Sequence, residues 1–166
     1  MTAADTMVKT ADVDIIEAET VCPGKYIVII TGELSAVNAS VEAAKTVHSM
    51  HLIDSFVLGN PADEIFPAIY GASKVEIVNS LGIIETYDAA AIIVAADQAA
   101  KTAEVSLIEI RLARGMCGKS YLLITGEVAA VEAAIARAQK AVEPRGMYLD
   151  SSVIARPDKK LINQIL

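Results

Sequence analysis

AADQAAKTAEVSLIE (residues 95–109) nearly duplicates AADTMVKTADVDIIE (3–17): nine of the fifteen positions are identical. Working outward from this pair, CPGK (22–25) answers MCGK (116–119), TGELSAV (31–37) answers TGEVAAV (125–131), and LIDSFVLGNP (52–61) answers YLDSSVIARP (148–157). The four blocks keep the same order, and their offset drifts only from 92 to 96. Self-similarity of this kind over most of a chain marks a tandem duplication, and it lets each copy serve as a template for the other.

Periodicity supplies the elements of the second copy. SLGIIETY (80–87) is a short apolar strand, and Asp88 stands where an N-cap belongs for the helix AAAIIVAADQAAKTA. VSLIEIRLA and SYLLITGE read as two strands joined by the RGMCGK turn. VAAVEAAIARAQKAV is a helix, YLDSSVIA a strand, and DKKLINQIL a short terminal helix after Pro157. The order is β-α-β-β-α-β-α, which predicts an α+β fold of ferredoxin-like form with helices on an antiparallel sheet.

The first copy repeats this order but begins inside the first helix, because nothing before Ala3 corresponds to SLGIIET. A sheet short of one strand leaves backbone N–H and C=O groups unpaired. Either the true start lies upstream or another segment fills the slot; the unpermuted order favours a shortened start. The expected organisation is a first domain over 1–70 lacking its first strand, a linker over 71–79 and a complete second domain over 80–166.

Apolar residues are 54% of the chain and aromatics only 4%, so the core is expected to be Ala-rich, with thin, closely packed layers. No apolar run approaches a membrane span, and MTAADTMVKTADVD lacks the basic start and apolar stretch of a signal peptide, which predicts a cytoplasmic protein without membrane contact. The net charge of −7 sits in the first 79 residues, and the remainder is neutral. Neither part has the basic surface or the aromatic–arginine stacking expected of a nucleic-acid binder. No Ser/His/Asp set, phosphate-binding glycine loop or zinc spacing is present, which argues against an enzyme.

The chain has two cysteines, Cys22 and Cys117, too far apart in sequence for any familiar cluster or disulfide spacing. Read from the residues alone, Cys22 is either a small apolar side chain at a strand edge or a thiol turned outward by the Pro-Gly turn. Cys117 matches Pro23 rather than Cys22, which matches Met116, so it reads as a bystander. Lys25 and Lys119 read, from the residues alone, as solvated turn lysines. Lys9 and Lys101 hold equivalent places near a helix C-terminus, where a cation is favourable in any case. His48 and His51 lie three apart without a carboxylate or cysteine partner and read as solvated.

LGIIET, the AAD…K helix end, the Gly-Lys turn, TGE…AV and SVI.RP together resemble the bacterial microcompartment (BMC) shell-protein domain, in two copies over nearly the whole chain. The CPGKY turn is similar to that of the tandem iron–sulfur shell proteins of propanediol-utilisation compartments. The resemblance implies a homotrimer that mimics a hexameric tile and assembles with other shell proteins. It places Cys22, Pro23, Gly24 and Lys25 around the central axis, alternating with Met116, Cys117, Gly118 and Lys119. It implies one [4Fe–4S] cluster per trimer held by three Cys22 thiolates, which would relay electrons across the shell or serve an encapsulated redox enzyme. The alternative it leaves is a tile with an open metabolite pore and no cluster. Lys9 and Lys101, with Arg156 and Pro157, would lie at the tile edge; in the first copy the last pair is Asn60-Pro61.

Overall fold

The first nine-residue segment, TAADTMVKT, is helical although five of its nine residues are Thr, Val or Asp, and Asp5 and Lys9 pair four residues apart along its surface. This helix, α1 (Thr2–Thr10), gives way at extended Ala11 to β-branched residues that form β1 (Asp14–Val21). A tight turn leads into β2 (Lys25–Thr31), which pairs antiparallel with β1, and α2 (Leu34–Val47) follows. Buried Ser40 of α2 donates its hydroxyl to Met7 O at 2.9 Å, tying α2 to α1. The computed structural model describes residues 1–75 and 78–166 of the chain, which divide into two units, Met1–Asn60 and Pro61–Leu166.

The second unit opens with α3 (Ile65–Ile69) and continues through β3 (Ser80–Thr86), α4 (Ala89–Thr102), β4 (Val105–Arg111), β5 (Ser120–Gly126), α5 (Val128–Val142), β6 (Tyr148–Ala155) and α6 (Lys159–Ile165). From β3 onward this is the β-α-β-β-α-β-α order expected from sequence. Its four strands form an antiparallel sheet in the order β4-β5-β3-β6. Asp88 caps α4 by accepting the Ala91 N–H at 2.6 Å, as its position predicts.

Alanines carry the packing of this unit. Ala91, Ala95, Ala96, Ala99, Ala134 and Ala138 are fully buried, so α4 and α5 lie close to each other and to the sheet. Gly82, in the middle of β3, belongs to the same design. A Cβ there would stand 2.6 Å from Val131 Cγ1 of α5 and 2.7 Å from Ile124 Cγ1 of β5. The other face of the sheet gathers Leu81, Ile108 and Leu123, against which Val75, Val78 and Ile165 pack.

The first unit departs from its template in one respect. Residues 52–58, which answer β6, form no strand, and the sheet of this unit has only β1 and β2. The reason is non-local: β6 exists because it pairs with β3, and no described residue of the first unit takes the place of β3. Its interior is correspondingly open. Ile15 is 42% exposed, whereas its counterpart Leu107 is 2% exposed.

The division between units falls at residue 60, ahead of the 71–79 segment read as a linker. The cause lies in α3, whose Ile65, Ala68 and Ile69 are buried and which packs on β4 and α4. Buried Asp97 of α4 holds the same segment by accepting the Ala62 N–H at 3.0 Å. Glu76 and Ile77 of the expected linker lie outside the described residues.

Candidate functional site

Each unit presents one hairpin whose tip carries a cysteine, a glycine and a lysine. In the first, buried Val21 anchors the end of β1, and the Gly24 N–H closes the turn onto Val21 O at 3.1 Å. Gly24 has φ +90°, and nothing lies within 4 Å of where its Cβ would be. Glycine is therefore required there by backbone conformation rather than by space. Cys22 precedes Pro23 through a cis peptide bond, its thiol is free, and the residue is exposed on the turn. That turn resolves the ambiguity left by sequence: Cys22 is not a buried strand-edge residue.

The second tip, residues 112–119, is longer and differently built. Leu112 and Ala113 remain buried at its base, where the Ala113 N–H donates to Ser120 Oγ at 3.0 Å. Cys117 has φ +53° and Gly118 φ +84°, and the Lys119 N–H closes the turn onto Met116 O at 3.1 Å. Cys117 is also free and exposed. Each tip thus spends a turn N–H internally, and Pro23 has none, so Gly24 and Pro23 offer no backbone donors for an anionic group. Lys25 remains as the neighbouring positive charge.

The described residues of a single chain do not assemble a metal site. Among the described residues no group of three or more His, Cys, Asp or Glu side chains converges. Cys22 fits a thiolate-bound cluster only as one ligand per chain, with its exposed position on a turn allowing equivalent thiols from other copies to approach. His48 Nε2 is instead 3.0 Å from Thr6 Oγ1, within the first unit.

The remaining sequence candidates are at the surface but engaged. Lys9 Nζ lies 2.7 Å from Asp5 Oδ2, and Lys101 Nζ lies 2.6 Å from Asp97 Oδ1. The duplicated lysine therefore comes with a duplicated aspartate four residues earlier, a signal present in both AAD…K segments. Arg156 sits at φ +53° with its N–H donating to Asn79 O at 3.2 Å, beside Pro157. Its counterpart pair straddles the division, Asn60 in the first unit and Pro61 in the second.

One cluster escaped sequence reasoning. Tyr121 Oη donates to Glu109 Oε2 at 2.7 Å, Arg111 Nη2 donates to Glu109 Oε1 at 2.7 Å, and the Arg111 guanidinium stands 5.2 Å from the Tyr121 ring centroid. Burial, then the hydrogen bond to Glu109, push the Tyr121 phenol up to about 12. Glu109 and Arg111 line an open groove of about 370 Å³ with Tyr70 and Arg114. The first copy has Ile27 where the second has Tyr121, so the duplication itself gave no sign of the cluster.

The model of the BMC domain matches residues 1–61 and again residues 80–157. The chain belongs to the BMC-domain family. It is similar to the bacterial microcompartment shell protein PduT of Citrobacter freundii, with 34% identity over 166 residues, all of this chain and 90% of the relative. A microcompartment protein of Desulfitobacterium hafniense, known from its crystal structure, superposes with a TM-score of 0.87 at 46% identity, covering 98% of this chain and 90% of that one. A fused permuted hexameric shell protein of the RMM microcompartment shares the fold alone, with a TM-score of 0.65 at 20% identity over 86% of this chain and 74% of its own. This BMC protein is a structural shell protein with two BMC domains in tandem, and proteins of its family build the microcompartment shell by assembling with one another. No helix among its described residues is long and apolar enough to cross a membrane.

Proposed function

We propose that three copies of this shell protein close around an axis and bring three Cys22 thiolates together to hold a [4Fe–4S] cluster. When bound, the cluster supplies a one-electron carrier at the centre of the tile. The observation that carries this reading is the exposed, free Cys22 on the tip of the β1–β2 hairpin, once per chain. Threefold symmetry turns one ligand into three, which the chain by itself lacks. The trimer and the cluster are expectations carried by likeness to tandem shell proteins, supported by this exposure.

The residues around Cys22 have separable tasks. Gly24 permits the turn, and buried Val21 fixes its base. Lys25 offsets the negative charge that three thiolates concentrate, because the turn N–H is already committed to Val21 O. Cys117 lies in the other hairpin, out of register with Cys22, and has no ligand task in this reading.

Anaerobic purification with iron and sulfide analysis and EPR tests the reading, run beside Cys22→Ser and Cys117→Ser. About four irons per trimer, lost in Cys22→Ser and retained in Cys117→Ser, is the expected result. An intact trimer without iron after anaerobic handling and reconstitution would instead leave a tile with an open pore bordered by Lys25 and Lys119.

A further inference from the structure

The duplication separates what a hairpin needs in order to fold from what it carries besides. Arg111 of β4 stands opposite Tyr121 of β5, and in the same register Glu19 of β1 stands opposite Ile27 of β2. Both strand pairs form, so the pairing demands neither the arginine nor the tyrosine. In the second unit these two residues instead build a fixed cation. Glu109 Oε1 accepts from Arg111 Nε at 3.0 Å and from Nη2 at 2.7 Å, while Glu109 Oε2 accepts from Tyr121 Oη at 2.7 Å. The guanidinium also lies 5.2 Å from the centroid of the Tyr121 ring, a cation–π distance. Both carboxylate oxygens are thus engaged, whereas Arg111 Nη1 takes no part in these bonds and the arginine side chain is 47% exposed.

We propose that the groove lined by Arg111 and Arg114 binds a small organic anion, a carboxylate or a phosphate monoester with an apolar body. The groove, about 370 Å³, is bounded by residues of the second unit alone. Its charged side chains are one carboxylate, already held by Arg111 and Tyr121, against two guanidiniums, so it is net positive in a chain of charge −7. A guanidinium presents its N–H groups as a planar fork that matches two oxygens of a carboxylate or phosphate. Ile69, Ile110 and Leu112 supply apolar wall for the rest of the ligand, and the volume suits a small molecule.

The residues divide the work. Arg111 and Arg114 hold the oxyanion, and Glu109 with Tyr121 are positioning residues that set the direction of the Arg111 fork before a ligand arrives. A metal cation is disfavoured, because the groove is net positive and both Glu109 oxygens are engaged. The first unit lacks a counterpart, since an acidic residue, Glu19, stands where Arg111 does, so the chain carries one such site. The inference does not depend on the cluster reading, which concerns Cys22 and the axial tips.

The test titrates the full 166-residue chain with benzoate, phenyl phosphate and, as the neutral analogue, benzyl alcohol, followed by saturation-transfer NMR. The expected result is saturable binding of at least one anion, with benzyl alcohol at least ~10-fold weaker; the tighter anion identifies the oxyanion the fork prefers. Arg111→Lys keeps the charge but removes the fork and should weaken that anion at least ~10-fold, as should Arg114→Gln. Tyr121→Phe should weaken the anion and leave the weak binding of benzyl alcohol unchanged, a split that loosening of the fold would not produce. Lys25→Gln combined with Lys119→Gln should leave anion binding unchanged. A circular dichroism melt like that of the parent certifies each variant, and Arg114→Gln decides the matter should Arg111→Lys fail to fold. Absence of binding by both anions overturns the proposal, and so does benzyl alcohol binding as tightly as they do. Undiminished binding by folded arginine variants also overturns it, as does loss of binding in the Lys25 and Lys119 variant, which would move the anion to the axial tips. Iron content is not read, so failure here leaves the Cys22 test untouched.

Discussion

Replacing Gly82 with alanine adds one methyl group at the most crowded point of the second unit. The built Cβ stands 2.6 Å from Val131 Cγ1 and 2.7 Å from Ile124 Cγ1, with Ile124 Cδ1 at 3.2 Å. Ordinary carbon–carbon contacts are about 3.5–4.0 Å, so the neighbours must retreat by about 1 Å. Neither can swing into water, because both are fully buried, one on α5 and one on β5. Overpacking of this kind costs about 1–3 kcal/mol. For a chain of this size that lowers the midpoint of thermal unfolding by about 2–4 °C per kcal/mol. Circular dichroism at fixed protein concentration reads the change, with Gly59→Ala as the control. Its Cβ would meet Leu34 Cδ2 at 3.5 Å, an ordinary contact, and should move the midpoint little. Val131→Ala removes the closest methyl, so Gly82→Ala combined with Val131→Ala should lose less than the two separate losses added together, by about 1 kcal/mol or more. A Gly82→Ala protein as stable as the parent, or a strictly additive double variant, would refute the crowding argument.

Three further outcomes are expected. Asp97→Ala should destabilise the second unit by about 1–3 kcal/mol in urea unfolding, because it strands the Ala62 N–H; Asp5→Ala, at an exposed ion pair, should change stability by less than about 0.5 kcal/mol. Asp88→Ala removes the α4 cap and should cost about 1 kcal/mol by the same measurement. Tyr121 should titrate late in ultraviolet absorbance, near its raised value of about 12; because the folded form holds its proton more tightly, that contribution to stability is intact below pH about 10 and lost as pH rises toward 12, and Tyr121→Phe should abolish the late step.

Sequence carried the second unit from β3 onward almost completely, since each of those elements is encoded locally. The strand expected at 148–155 is β6 residue for residue, and Asp88 announced α4 through its own side chain. The first unit was less legible for a physical reason. LIDSFVLGNP looks like β6, but a strand is defined by its neighbour, and the neighbour is absent among the described residues. The five-residue α3 was hidden for a related reason: it has no side-chain cap and includes Pro67, so packing on β4 and α4 makes the helix. At the candidate site, duplication pointed to both hairpin tips, and the Pro-Gly pair after Cys22 pointed to its exposure. The internal use of the Gly24 N–H was not legible, because it depends on how the turn closes. The aspartates that hold Lys9 and Lys101 were visible four residues upstream, yet only the geometry distinguishes the exposed Asp5 from the buried Asp97.

The clasp between Asp97 and the Ala62 N–H changes what can be cut out of this protein. A duplication would ordinarily leave two interchangeable modules, with a connector that could be trimmed at will. Here the connector has been recruited by one of them: α3 covers β4 with Ile65, Ala68 and Ile69, and a buried carboxylate fastens Ala62, three residues before it. Excision at Ser80 would therefore release a module missing part of its own interior, whereas excision at Pro61 would carry that interior along. The compact second unit begins nineteen residues earlier than the family's repeat does.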